Sequence, residues 1–134
     1  MTRINCGIPP KELTDKHLMA EHREIKRIPN CIAKGKYNMK GQPDQFTLGT
    51  GHVKFFYDKL SYLLFRYHAL YKECKYRGFD VTYYAEAWSG LPNELMNDYE
   101  PTDRDREIVR ERIAERLEAT GNYKNTRKDL EMSD

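Results

Sequence analysis

Apolar residues recur along this chain at spacings of three and four, and strand-type alternation is scarce. The longest run is Val53, Phe56, Leu60, Leu63, Tyr67, Leu70 and Cys74. It predicts one continuous core helix, stopped by Gly78 after Arg77. An earlier helix is expected to begin at Thr14-Asp15, where either side chain can cap it and Pro9-Pro10 keeps the preceding chain extended. Leu18, Met19, Ile25 and Ile28 form its apolar side, Lys16, Arg23, Lys26 and Arg27 its basic side, and Pro29 bends or ends it. A third helix starts after Pro101-Thr102, with Asp103 and Asp105 favourable in its first turn. It turns Ile108, Val109, Ile113 and Leu117 inward and ends at Gly121. Residues 35–51 and 79–101 are expected as loops, and the tail from Thr120 as polar, with loose last residues. The expected fold is therefore all-α: residues 1–134 as one compact domain of three main helices.

Composition narrows the function classes. The chain has 134 residues, 39% hydrophobic and 33% charged, with mean hydropathy −0.89. That suits one modest, well-solvated core. No apolar run approaches the roughly 18 residues of a membrane span. Residues 1–5 have no signal-peptide character, so a cytoplasmic protein is expected, with no membrane partner. Cys6, Cys31 and Cys74 are odd in number and show no Cys-x-x-Cys pair. Together with His17, His22, His52 and His68 they complete no zinc spacing. His17 and Glu21, four apart, amount at most to half a metal site, so no metal and no cofactor are expected. Nothing demands a dimer, and a monomer is expected.

Charge is unevenly spread. Residues 1–78 hold 15 Lys+Arg against 7 Asp+Glu, or +8; residues 79–134 hold 8 against 14, or −6, summing to the overall +2. Such a split fits a face built for a polyanion, and it fits a mixed solvated surface equally well.

Two features bear on chemistry. Met1 precedes the small residue Thr2, so its removal would free the Thr2 α-amine. An α-amine titrates at about 7.7–8.0 against about 10.4 for lysine, so at pH 7 about 10–15% of it is neutral against about 0.04%. Only the neutral form attacks carbon. Many chains begin Met-Thr, so this carries no weight alone. The second feature is the block His17 to Arg27, in which Glu24 lies beside Arg27 and Arg23 shares a face with Arg27. One carboxylate among cations suits an amine–imine reaction on DNA, with the cations on phosphates and the carboxylate steadying a cationic sugar. A solvated helix laced with ion pairs has the same spacing.

Met1-Thr2-Arg3-Ile4-Asn5, then His17-Leu18-Met19-Ala20-Glu21 with Arg23-Glu24, resembles the phage-type pyrimidine-dimer DNA glycosylase and abasic-site lyase family. These are the small UV-repair enzymes traditionally called endonuclease V. Leu48 to Leu60, Lys75 to Phe79, and Asp98-Tyr99 before Pro101 extend the likeness to about residue 117. The resemblance implies three helices with the amino terminus threaded between them. It implies the Thr2 α-amine as nucleophile on the deoxyribose anomeric carbon, a Schiff base, and strand nicking by β-elimination. It assigns Glu24 as the catalytic carboxylate and Arg3, Arg23, Arg27, Arg112 and Arg116 as DNA-contacting cations. Lys16, His22, Tyr123 and Lys124 are further expected DNA contacts. The implied partner is double-stranded damaged DNA, kinked and with a base flipped out opposite the lesion.

The likeness weakens in the tail. Founding members carry clustered aromatics there, implicated in recognising the dimer, whereas this chain has Asn122, Tyr123, Lys124, Asn125 and Thr126. His22 stands where a phenol is expected, and the segment from Pro29 to Phe46 is shorter. Stacking contributes about 1–3 kcal/mol per base, so lesion choice can change while the chemistry persists. Tyr83, Tyr84 or Trp88 could substitute, though each reads more readily as packing. Three readings stand: a pyrimidine-dimer glycosylase with lyase activity, the same chemistry on another base or on abasic sites, and a non-catalytic DNA-binding or DNA-bending module. Glu21 is expected to be structural, paired within its helix or with a neighbouring cation.

Overall fold

A computed structural model describes residues 1–132, and among them the regular structure is helical, with no β-strand. The α-helices are α1 (Asp15–Glu24), α2 (Arg27–Ala33), α3 (His52–Phe55), α4 (Leu60–Tyr76), α5 (Asp103–Thr120) and α6 (Thr126–Met132). Short 3-10 turns lie at Pro10–Glu12, Ala85–Trp88 and Asn93–Leu95. The all-α single domain is as expected, and α1, α4 and α5 are its long members.

The continuous helix expected from Val53 to Cys74 is two. In an unbroken helix the carbonyls of Lys54 and Phe55 would accept from the amides of Asp58 and Lys59. Side chains take them instead. Gln42 Nε2 donates to both at 3.2 Å, and Lys59 Nζ donates to the Phe55 carbonyl at 2.9 Å. The chain turns there and restarts as α4, whose Leu60, Leu63, Tyr67, Leu70 and Cys74 are buried as the stripe predicted. Phe46, Phe55, Phe56, Tyr62 and Tyr99 pack edge-to-face or stacked around that break.

Pro29 bends the first helical run, as expected, without ending it. Proline cannot tolerate a helical carbonyl four residues earlier. The Ile25 carbonyl is released to the Ile28 amide at 3.3 Å, and the helix resumes as α2 with Pro29 in its first turn. In α5, Thr102 and Asp105 form a capping box: Thr102 Oγ1 accepts from the Asp105 amide at 3.1 Å, and the Asp105 carboxylate accepts from the Thr102 amide at 3.0 Å. Of its expected inward residues Val109 is buried, while Ile108, Ile113 and Leu117 are half-buried. Asp105 is buried and Arg112 half-buried.

The amino-terminal segment runs extended between these helices, with Ile4, Asn5 and Cys6 at most 3% exposed. The Gly7 amide donates to the Tyr62 hydroxyl at 3.2 Å on α4. Gly7 has φ +79°, and a Cβ there would stand 2.8 Å from Pro101 Cβ and 2.9 Å from Arg106 Cγ, so only glycine fits.

The polar tail is tied down through Arg127. Asp15 at the start of α1 donates its amide to the Lys124 carbonyl (2.8 Å) and accepts from the Thr126 amide (2.9 Å) and hydroxyl (2.6 Å). Asn125 donates to the Leu13 carbonyl, and Arg127 donates to Glu73 on α4 at 2.7 Å. Of the tail expected to be loose towards its end, Ser133 and Asp134 lie outside the described residues. No helix among the described residues is long and apolar enough to cross a membrane.

Candidate active site

The helix α1 and the residue that ends it turn one side inward. Leu18 and Ile25 face the core and are fully buried. Glu21, 1% exposed, receives the Arg66 guanidinium of α4, which donates to both of its carboxylate oxygens and also to the Ile8 carbonyl at 2.9 Å. Burial alone would lower the Arg66 pKa, but the Glu21 carboxylate overrides it and raises it above the ordinary value. Glu21 is thus structural as expected, its partner coming from α4. Such a buried pair tolerates loss of neither member, because the survivor would be an uncompensated charge.

Asn5 carries that order outward. Its Nδ2 donates to Glu21 at 2.8 Å, so its Oδ1 must face the other way, where it accepts from Arg112 at 3.0 Å. One amide therefore fixes a guanidinium of α5 against the amino-terminal strand. The next amides of that strand are also held. The Arg3 amide donates to Glu24 at 3.1 Å, and the Ile4 amide donates to His52 Nε2 at 2.9 Å.

A narrow cleft of about 40 Å³ opens over these groups, lined by Arg3, Asn5, His17, Ala20, Glu21, Glu24, Arg112, Ile113 and Arg116. A wider cavity of about 310 Å³, lined by Met1, Thr2, Arg3, Gly49, His52, Val53 and Arg112, adjoins it through Arg3 and Arg112. Arg23 reaches Glu24 at 3.7 Å with 63% of its side chain exposed. Arg27 donates to the Met1 carbonyl at 3.2 Å. Thr2, Arg3, Arg23, Glu24, Arg27, Arg112 and Arg116, drawn from four segments, thus converge on one place. Lys16 is exposed on α1, one and two turns before Ala20 and Arg23, and extends the same basic stripe.

The electrostatics of the cleft are those of crowded cations. Burial, then the Arg3 charge, holds Arg112 below the ordinary arginine value. Burial, then Arg112, Arg116 and Arg3, holds His17 below the ordinary histidine value. Two carboxylates, Glu21 and Glu24, stand among them, the first already committed to Arg66. Like charges crowded this way favour an incoming anion, and backbone phosphates supply a row of them.

Three expected DNA contacts are not brought to this face. His22 is 5% exposed and lies on the core side of α1, stacked on Tyr67 with ring centroids 5.0 Å apart. Its ring packs in the core. The sequence held a signal: His22 shares a face with Leu18 and Ile25, at i−4 and i+3. Lys124 is paired with Asp129 at 2.8 Å, and its carbonyl is bonded to Asp15 at the start of α1. Glu24 ends that ten-residue helix, about 14 Å away along it. Tyr123 is 61% exposed beside Lys124, again at the far end of α1. Trp88 is buried on Tyr67, and Tyr83 stacks on the same ring, so both pack.

Asn5, His52 and Arg66 are site residues that spacing did not single out, because each acts through a partner more than ten residues away. Among the described residues no three His, Cys, Asp or Glu side chains are grouped to hold a metal ion. A family model described as pyrimidine dimer DNA glycosylase matches residues 1–86. The match takes in Thr2, Arg3, Arg23, Glu24 and Arg27 and stops before α5, so Arg112 and Arg116 stand outside it.

Proposed function

From its membership of the pyrimidine dimer DNA glycosylase family, to which this chain belongs, we propose that it excises a damaged pyrimidine through the Thr2 α-amine and then nicks the strand. The observation that carries this is the hydrogen bond from the Arg3 amide to Glu24 at 3.1 Å. It sets a carboxylate one residue from the amine that removal of Met1 would free, inside a ring of arginines.

The neutral amine attacks C1′ of the damaged nucleotide, and the bond from C1′ to the base breaks, the base leaving with the electron pair. The attached nitrogen gives up one proton, the C1′–O4′ bond breaks with O4′ taking a proton, and a protonated imine, still bearing one N–H, links C1′ to Thr2. Glu24 is the group beside this cation, stabilising it and relaying protons. Loss of a C2′ proton expels the 3′ phosphate by β-elimination, and water hydrolyses the imine to return the amine. Arg3, Arg23, Arg27, Arg112 and Arg116 hold the phosphates on either side, and each such contact adds about 0.9 to the slope of log affinity against log salt.

Borohydride reduction tests the reading directly. Protein whose first residue is Thr2 should become covalently linked to abasic duplex DNA, with the added mass on Thr2. Protein acetylated at that amine, or retaining Met1, should not. Equal trapping of the blocked protein would overturn the assignment.

A second reading, the same chemistry on another damaged base or on abasic sites, is favoured by one observation. Asn125 and Thr126, where founding relatives of the resemblance carry aromatics, are engaged with Leu13 and Asp15. Trapping rates on duplexes holding a dimer, an oxidised pyrimidine or an abasic site distinguish the two.

A further inference from the structure

The imidazole of His52 has a defined tautomer. The Ile4 amide can only donate, so Nε2 at 2.9 Å must be its acceptor. Nδ1 therefore carries the proton and donates it to the Thr47 carbonyl at 2.8 Å. The ring is 5% exposed and held edge-on by Phe46 and Phe56, with centroids 5.4 and 5.6 Å away. Its orientation is thus fixed by two hydrogen bonds and two aromatic rings, with its Nε2 lone pair accepting from the segment that bears Thr2.

We propose that His52 is a positioning residue of the reaction, holding the amino-terminal strand by the Ile4 amide so that the Thr2 amine is set over Glu24. Ile4 lies two positions after Thr2, which along an extended segment is about 6.6 Å. The strand has a second tether, Arg3 to Glu24 on α1. His52 belongs to a different element, α3. A single tether lets the strand pivot, and two tethers from different elements fix both its direction and its advance. The wider cavity agrees with this role, since His52 lines it together with Thr2. Small displacements of a nucleophile are costly: about 1 Å can cost on the order of 100-fold in rate.

The tautomer has a further requirement. Protonated at Nε2, the ring would present an N–H to the Ile4 N–H and the tether would be lost. The charged groups that act on the ring are Arg112 from α5, Glu21 from α1 and Arg3 from the strand itself. Burial and the two arginines favour the neutral ring, against the pull of the Thr47 carbonyl and Glu21.

The inference rests on the proposed role of the Thr2 amine, and the experiment separates the two. Borohydride trapping is followed in single turnover, with saturating protein of which Thr2 is the first residue, on abasic duplex DNA below the melting temperature of every variant. Wild-type protein that does not trap overturns the Thr2 reading and this one with it. If it traps, His52→Leu should trap slower by about tenfold or more while its affinity for the duplex is unchanged. His52→Gln, whose amide oxygen can accept from Ile4, should recover part of the rate. A trapping rate of His52→Leu equal to wild type, or a rate lost only in proportion to affinity, overturns the proposal. Should His52→Leu not fold, the same bond can be removed from the other side. A synthetic segment ending at Asn5, with an ester in place of the Ile4 amide, is ligated to a chain beginning at Cys6. That protein should show the same slowing with His52 intact, and an undiminished rate in it overturns the inference.

Discussion

Glu24 owes its place to a backbone amide, and that makes its charge separable from its shape. Glu24→Gln keeps an oxygen that can accept from Arg3, so the strand should stay docked. The variant should bind abasic duplex nearly as wild type does, while trapping slows by roughly 10²–10⁴-fold. Gel shift and single-turnover trapping measure the two, and an ordinary trapping rate would remove Glu24 from the mechanism. Glu24 was singled out by the resemblance, because its local spacing alone reads as a solvated helix laced with ion pairs. The burial of His22 was not legible, since a lone histidine among cations reads as surface until the helix is turned to show Leu18 and Ile25 beside it. Asn5 and Arg66 escaped notice for another reason: their meaning lies in Glu21 and Arg112, which only folding brings near.

At the scale of elements, helical period survives where side chains do not compete for the backbone. The boundaries of α5 follow from its sequence, with a capping box at Thr102-Asp105 and a left-handed Gly121 (φ +71°) at its end. The gap between α3 and α4 does not, because it depends on Gln42, a residue twelve positions from the first carbonyl it takes. The same physics governs the tail, whose polarity suggested freedom while its side chains are spent on Asp15, Leu13 and Glu73. Truncation after Thr120 should accordingly cost stability, about 1–3 kcal/mol for the buried hydrogen-bonding groups left unpaired. Below its melting temperature the truncated protein should trap abasic DNA at the wild-type rate and keep its ratio of dimer to abasic cleavage. Denaturant unfolding and the two substrates check this. A changed ratio with unchanged stability would make the tail a lesion reader.

For the whole molecule, the charge division along the chain is not a division in space. Arg112 and Arg116 belong to the acidic half yet join the basic cleft. Three of its histidines are neutral and at least half withdrawn from water. His17, His22 and His52 are each held below the ordinary value first by burial. The unfolded chain then binds their protons more readily than the native one. Their stabilising contribution is complete above the ordinary value of about 6.5 and is lost as pH falls below it. Asp15, Asp58 and Glu73 are also held low, their hydrogen bonds and cations outweighing burial, and these come into play only in stronger acid. The melting temperature should therefore fall between pH 7 and pH 5.5, ahead of any acid denaturation by carboxylates. A flat profile over that range, read by differential scanning fluorimetry, would contradict the burial of these rings.

The threading of the first residues between the helices has a consequence for the order of events in biosynthesis. Asn5 is bonded to Arg112, 107 positions later, and Cys6 lies against Asp105, 99 positions later. On the ribosome this segment is made about a hundred residues before the groups of α5 that seat it. Translation must pass α5 before the cleft can close around its own beginning. Until α5 has emerged, a nascent chain holds the earlier helices with this segment still unseated.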